Sequence, residues 1–419
     1  MTQETRPNEA AAYVISPKMA KALTTTWRSR ILMELSVRPL SPSQFVEKVG
    51  GEISEIGRCF RQLASWDYIE IIETRAGQGS GKGVEHVYRG IQRAHLDTSV
   101  WEQLPRKRRE IFSGSILESY FARINEAIVA GTFDDEIDRH LSWDGVPLDR
   151  IGWRQVVARL DQLLDCLPIL GAEATMRMTE SGEQPIPTTV GLAAFRSPHA
   201  LGLVLPQHFQ AQPSEGAPEV SPFAISAKMA KAVANKWRSR ILMELRVRPM
   251  SATQFVNEIG GGQRNINRCF QQLAEWDYIG VIDVLTGGRR RGSREKVYAL
   301  KQRAHFDTKT WEGLPRFLRD EFSASIVNSY FGRIVEAIDA GTFEADLDRH
   351  LSWYPVALDR IAWSRLIAAA DEILYSLPSL GEEAAARIAR SGEDPINTTI
   401  GLAVFRSPKS SEIMPGSAT

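Results

Sequence analysis

Apolar side chains recur at three- and four-residue steps through Met19, Ala22, Leu23, Trp27, Ile31, Leu32 and Leu35, the period of an amphipathic helix. Ser16-Pro17 supplies a start, with proline at the first helical position, and Thr24-Thr-Thr26 can divide the stretch into two helices. After Arg38-Pro39-Leu40, Ser41-Pro42 opens a helix holding Phe45, Val46 and Val49. Gly50-Gly51 breaks it, and Ile53, Ile56, Phe60 and Leu63 share one face of a longer helix over 52–65. Residues 68–73 and 84–89, rich in β-branched and aromatic side chains, flank a glycine-rich loop and predict a β-hairpin. Helix, helix, turn, helix and hairpin is the order of a winged helix-turn-helix.

From Trp101 to Gly182 the pattern reads as helical. Helices are expected over 111–129, 148–164 and 173–178, with a break at Gly131-Thr132 and a short helical segment over 137–141. Arg139-His-Leu-Ser-Trp143 reads as a turn packed by Leu141 and Trp143. Residues 186–195 read as a single strand. The expected class is therefore mainly α with small β-hairpin wings.

The whole pattern occurs twice. Residues 11–198 align without a gap on 221–408, and more than half of the aligned positions are identical. Ile31-Leu-Met-Glu-Leu35 returns as Ile241-Leu-Met-Glu-Leu245, and Trp66-Asp-Tyr-Ile69 as Trp276-Asp-Tyr-Ile279. A period this long exceeds that of solenoid repeats, so each copy is expected to own a hydrophobic core. The expected organisation is a winged helix at 13–98, a helical companion at 99–198, an extension and linker at 199–220, a second winged helix at 221–308 and a second companion at 309–408. Within 199–220, the part from 209 onward is the linker proper. The tails 1–12 and 411–419 are expected to be mobile.

The 419 residues carry 51 Lys plus Arg against 51 Asp plus Glu, so the chain as a whole has no attraction for polyanions, although a local basic patch is compatible with that balance. No apolar run is long enough to cross a membrane, and residues 1–15 show no signal-peptide pattern, so a cytoplasmic protein is expected. Cys59, Cys166 and Cys269 are far apart and outline neither a zinc site nor a disulfide framework. The chain contains no G-x-S-x-G, H-E-x-x-H, P-loop or dinucleotide fingerprint. Neither an enzyme nor a cofactor is expected.

Lys21-Ala-Leu23, Arg28-Ser-Arg-Ile-Leu32, Pro39-Leu-Ser41, the run from Leu63 to Ile72 and Gly81-Lys-Gly-Val-Glu-His-Val-Tyr88 resemble the ArsR-type winged-helix transcriptional regulators. The resemblance covers 16–90 and 226–300. It implies a dimer that sets two recognition helices, here 52–65 and 262–275, in successive major grooves, with the wings on the backbone or minor groove. Many members sense metal through two cysteines in a Glu-Leu-Cys-Val-Cys pattern. The matching stretches here are Glu34-Leu-Ser-Val-Arg38 and Glu244-Leu-Arg-Val-Arg248, and both cysteines are missing from each. Ser36, Arg38, Arg246 and Arg248 cannot replace those thiolates, arginine least of all because it stays protonated.

The two reading surfaces differ. Residues 50–90 carry five basic and six acidic side chains, whereas 260–300 carry seven basic and four acidic, so phosphate attraction should favour the second copy. Gln263, Arg264, Asn265, Asn267 and Arg268 are types that read base edges or hold phosphate. Arg289, Arg290, Arg291 and Arg294 in the second wing are expected phosphate contacts, set against an ordinary solvated hairpin tip. The first copy offers Ser54, Arg58, Arg61 and, in its wing, Lys82, beside Glu52 and Glu55, whose charge repels DNA unless a cytosine amino group is read.

The remaining chemistry reads as structural. Cys59 and Cys269 occupy equivalent places and fit small buried hydrophobes better than redox sensors. His95, His140, His305 and His350, with Asp97, Asp138, Asp307 and Asp348, could ligate metal, but no spacing sets three on one helical face. Trp101, Phe112, Tyr120, Phe121, Phe133, Trp143 and Trp153 recur in type in the second copy and read as packing, with an apolar effector pocket as the alternative. The expected function is sequence-selective binding of double-stranded DNA by a transcriptional regulator whose modules pair within one chain. A protein-interaction scaffold is the competing class, and a homodimer and a small-molecule effector are further open partners.

Overall fold

The computed structural model describes residues 25–35, 38–76, 84–91, 101, 103–198, 235–247, 249–286, 294–301 and 311–408. The expected features at Ser16-Pro17 to Leu23, the segment 199–220 and both tails lie outside the described residues. The fold is mixed α/β, mainly helical with antiparallel sheets, and the chain divides into two compact units, 1–123 and 124–419. No helix among the described residues is long and apolar enough to cross a membrane.

In the first unit, α1 (Thr26–Leu35), α2 (Pro42–Val49) and α3 (Ile53–Ser65) precede a hairpin of β1 (Ile69–Ala76) and β2 (Val84–Gly90). The start of α2 is fixed by a reciprocal cap: Ser41 Oγ accepts from Gln44 N at 3.2 Å, and Gln44 Oε1 accepts from Ser41 N at 2.9 Å. Ile31, Phe45, Ile56, Phe60 and Leu63 are wholly buried, and the Phe60 ring lies 5.9 Å from Phe45 and 5.1 Å from Tyr88. Leu40 bridges Tyr88 as a rudimentary third strand. The hairpin runs to Ala76, beyond the apolar stretch that marked it in the sequence, because its outer residues are polar and solvated. The division between units falls inside α4 (Arg106–Val129).

The second unit holds the rest of the first copy and the second copy. β3 (His140–Leu148), α5 (Arg150–Ser181) and β4 (Ile186–Arg196) complete the first copy. In the second, α6 (Lys236–Val247), β5 (Met250–Ser251), α7 (Ala252–Glu258), α8 (Gln263–Glu275), β6 (Ile279–Thr286) and β7 (Arg294–Leu300) repeat the three helices and hairpin, with the sheet order β5-β7-β6. α9 (Arg316–Asp339), β8 (His350–Leu358), α10 (Arg360–Ser391) and β9 (Ile396–Arg406) follow.

The expectation of a helical companion with β-structure confined to the wings is corrected. Each companion region contributes two strands, and residues 137–141 lead into β3 instead of forming a helix or the turn expected through Arg139–Trp143. Asp144, Gly145 and Pro147 disguise β3, but it is an edge strand, where a proline without a donor is tolerated. The helices expected at 148–164 and 173–178 are one helix, α5. Its buried stripe of Val156, Leu160, Leu163, Leu167, Leu170 and Ala174 continues past Pro168, so packing outweighs the hydrogen bond that proline removes. Asp149 caps its start by accepting from Gly152 N at 2.8 Å, and left-handed Gly182 ends it. The strand expected at 186–195 is present as β4.

These four strands interleave the copies in the order β3-β9-β4-β8, all antiparallel. Leu192 pairs with its own repeat equivalent Leu402, which puts a pseudo-two-fold axis between the central strands. One core lies on one face of the sheet, where Val190, Leu192 and Ala194 with Ile400, Leu402 and Val404 meet the buried stripes of α5 and α10. The opposite face carries Phe195 against Phe343 at 4.9 Å and Phe405 against Phe133 at 4.8 Å. The companion segments therefore share a core drawn from both copies, and neither owns one. Arg387 clasps the Asp149 cap and Arg177 the Asp359 cap, each with a 3.0 Å bond, across the repeat boundary. Those guanidiniums hold both carboxyls below the usual aspartate range.

Candidate nucleic-acid interface

α8 buries Ile266, Cys269, Phe270 and Leu273 on one side and exposes Gln263, Arg264, Asn265, Asn267 and Arg268 on the other. Its buried side is held by Phe270, 6.0 Å from Phe255 and 5.2 Å from Tyr298. Its far end is fixed by Arg238, which donates to Gln272 at 2.9 Å while stacking 5.1 Å from the Trp276 ring centre. On the exposed side Gln263 Nε2 donates to Asn267 Oδ1 at 3.0 Å, so these two amides are ordered relative to each other. All five exposed side chains carry guanidinium forks or amides of the kind that pair two-at-a-time with base edges.

α3 is built the same way, with Arg28 donating to Gln62 at 3.1 Å and lying 5.2 Å from the Trp66 ring centre. Ser54, Arg58 and Arg61 are exposed on it, but Ser54 donates to Glu52 at 2.5 Å, and Glu55 stands in the first turn. The hairpins differ as well. Arg75 is tied to Glu73 at 2.6 Å and Arg89 to Glu70, so these cations of the first hairpin are neutralised on the hairpin itself. Arg294 and Lys296 stand exposed on β7, where the first copy has Val84 and His86. Lys82, Arg289, Arg290 and Arg291 lie outside the described residues.

A pair of glycines aims each of these helices. Gly260 and Gly261 have φ of 99° and 101°, as Gly50 and Gly51 have 90° and 102°. A Cβ on Gly261 would also lie 3.0 Å from Ile266 Cδ1 and 3.1 Å from Trp237. Gly261→Ala is expected to cost about 1–3 kcal/mol from backbone strain alone. Urea unfolding of the full chain checks this, and an unchanged midpoint would contradict the role given to the turn.

Other candidate chemistry is occupied elsewhere. His140 bonds Asp371 through Nδ1 and Ser142 through Nε2, both at 2.7 Å, and His350 bonds Asp161 at 2.8 Å and Ser352 at 2.7 Å. Both ring nitrogens of each histidine are thus used, Nδ1 in a link that joins the copies and Nε2 in a bond to a serine on its own strand. Asp138 accepts from Trp363 Nε1 at 2.9 Å, and Asp348 faces Arg150 at 3.5 Å. His95, Asp97, His305 and Asp307, like Ser36 and Arg248, lie outside the described residues. Among the described residues no group of three or more metal-ligating side chains comes together. Cys59 and Cys269 are buried, and that burial pushes their thiols up, away from the reactive thiolate.

The companion aromatics pack on one another. Trp101 and Phe112 lie 5.8 Å apart, Tyr120 and Phe121 5.6 Å apart, and Trp143 and Trp153 are buried. Sequence reasoning missed two features. One is the His–Asp links, which join residues 231 and 189 positions apart. The other is the buried Glu34–Arg123 pair at 2.6 Å, whose only sequence signal is a charged residue on an otherwise apolar helix face. No protein-family model, curated protein or solved structure matches the chain.

Proposed function

We propose that the protein is a sequence-selective, double-stranded DNA-binding transcriptional regulator made of two tandem winged helix-turn-helix modules of ArsR-like type. The observation that carries this reading is α8: a helix locked by its buried face, followed by a hairpin, that exposes Gln263, Arg264, Asn265, Asn267 and Arg268 together. The strand interleaving within 124–419 supports reading the two copies as a pseudo-dimer inside one chain. The acidic start of α3 and the neutralised cations of the first hairpin support a division of labour in which the second module supplies most of the phosphate attraction.

Arg264→Ala or Asn267→Ala is expected to cost about 1–3 kcal/mol on a selected site and to relax discrimination at one base pair. Neutralising Arg289 and Arg291 should weaken binding to many sequences alike and lower the salt slope by about 1 for each charge. Fluorescence anisotropy against salt concentration measures both. Equal losses from matching changes in the two wings would contradict the division of labour. No association with DNA at low salt would overturn the reading and favour a protein-interaction scaffold, the class that Glu52 and Glu55 suit.

A further inference from the structure

The two copies differ where they could touch DNA and agree where they hold themselves together. On the inward side of α3 and α8 the buried side chains are identical in pairs: Ile56 and Ile266, Cys59 and Cys269, Phe60 and Phe270, Leu63 and Leu273. The supports agree too, since Arg28 and Arg238 make the same bond to Gln62 and Gln272. On the outward side, Ile53 stands against Gln263, Ser54 against Arg264, Glu55 against Asn265 and Arg61 against Gln271, and the exposed Asn267 stands where the first copy has Gly57, which is buried. Only Arg58 and Arg268 match among those outward positions of the first two turns.

We infer that the DNA recognised by this chain has two chemically unlike half-sites, an inference that rests on the DNA-binding reading above. A dimer of identical chains offers the same face twice and reads the same half-site twice. Here the faces ask for different bases. Arg264 matches the O6 and N7 acceptors of guanine, and Asn267 or Asn265 matches the N6 and N7 edge of adenine. In the first copy Glu55 can only accept, which suits the N4 amino group of cytosine, while half-exposed Ile53 suits a thymine methyl group. Selection for a repeated half-site would oppose such divergence, because any change that suited one half would spoil the other.

The test is selection of bound duplexes from a random double-stranded library with the full chain. It is repeated with a variant carrying Ile53→Gln, Ser54→Arg, Glu55→Asn, Gly57→Asn and Arg61→Gln. Wild type is expected to enrich a motif of two unlike parts. The variant is expected to enrich two copies of the part read by α8 and to bind that duplicated site at least about tenfold tighter than wild type does. Should the variant fold poorly, the reverse exchange in α8 is expected to duplicate the other part. A wild-type motif of two like halves, a motif confined to one half, or exchange variants that keep the wild-type motif would overturn the inference while leaving DNA binding intact. Absence of any enriched motif would instead remove the DNA-binding reading itself.

Discussion

Glu34→Ala is expected to destabilise the first unit by about 3–5 kcal/mol, the range for breaking a buried ion pair from one side. The Glu34 side chain is 1% exposed, with Arg123 at 2.6 Å, Lys48 at 2.7 Å and Arg30 at 3.6 Å. Burial alone would push its pKa up, but Arg123 and Lys48, helped by Arg30, outweigh burial and hold it at about 2, against 4.5 for a free glutamate. Removing the carboxylate takes from the Arg123 guanidinium, 5% exposed, the buried carboxylate that it meets at 2.6 Å. Because the folded pKa lies below the unfolded one, this contribution is fully present above about pH 4.5 and is lost as pH falls toward 2. Hydrogen exchange over 25–91 in the full chain reads both effects. A loss under about 1 kcal/mol would show that the cluster is no better than a surface ion pair. Wild type should lose protection steeply below pH 4.5, and Glu34→Ala should show a shallower loss. Replacing both partners, as in Glu34→Leu with Arg123→Met, should recover most of the stability. The second copy is a natural contrast, since Glu258 stands where the first has Lys48 and Glu244 relies on Arg333 at 3.2 Å and Arg240 at 2.7 Å.

Gly401→Ala should be nearly as damaging to the second unit. A Cβ there would lie 2.3 Å from Tyr330 Cζ and 2.5 Å from Cε2, inside the ring's van der Waals envelope. Gly401 sits in β9, paired on both sides, and Tyr330 is buried, so neither can step aside cheaply. The expected cost is about 3 kcal/mol, which for a unit of this size lowers the melting temperature by roughly 6–12 °C. Tyr330→Ala is destabilising alone through its cavity, yet combined with Gly401→Ala it should cost less than the sum of the two. Strict additivity in that double-mutant cycle would contradict the contact.

The parts legible in the sequence are those whose determinants are local. The cap at Ser41, the glycine pairs and the apolar positions Ile56, Phe60 and Leu63 of α3 lie within one short stretch, and the boundaries read from them agree with the helices, whereas Ile53, expected on the same face, is half exposed. β3 was illegible because what makes it a strand is β9, more than two hundred residues away, and not its own Asp144-Gly-Val-Pro147. The same distance hid the use of His140 and Asp371, whose partnership depends on α10 lying over β3. α5 looked broken because Pro168 is a local stop signal, and only the shared core shows why the helix runs through it. Of the candidate interface, the residue types on α8 were readable, whereas the ion pair that silences Arg89 follows from the hairpin register that sets it opposite Glu70.

In the four-stranded sheet, strands of the same copy are never neighbours: β3 pairs only with β9, and β4 lies between β9 and β8. A single copy expressed alone would hold two strands with no mate, so it would have to find a second chain to fold this region. In the duplicated chain that search is over at translation, and dilution cannot part the halves. Any activity that needs both copies should therefore rise with the first power of protein concentration, where an assembly of separate subunits rises with the second power well below its dissociation constant. The duplication fixes the stoichiometry of the pair in the gene and leaves each half free to change without having to recognise itself.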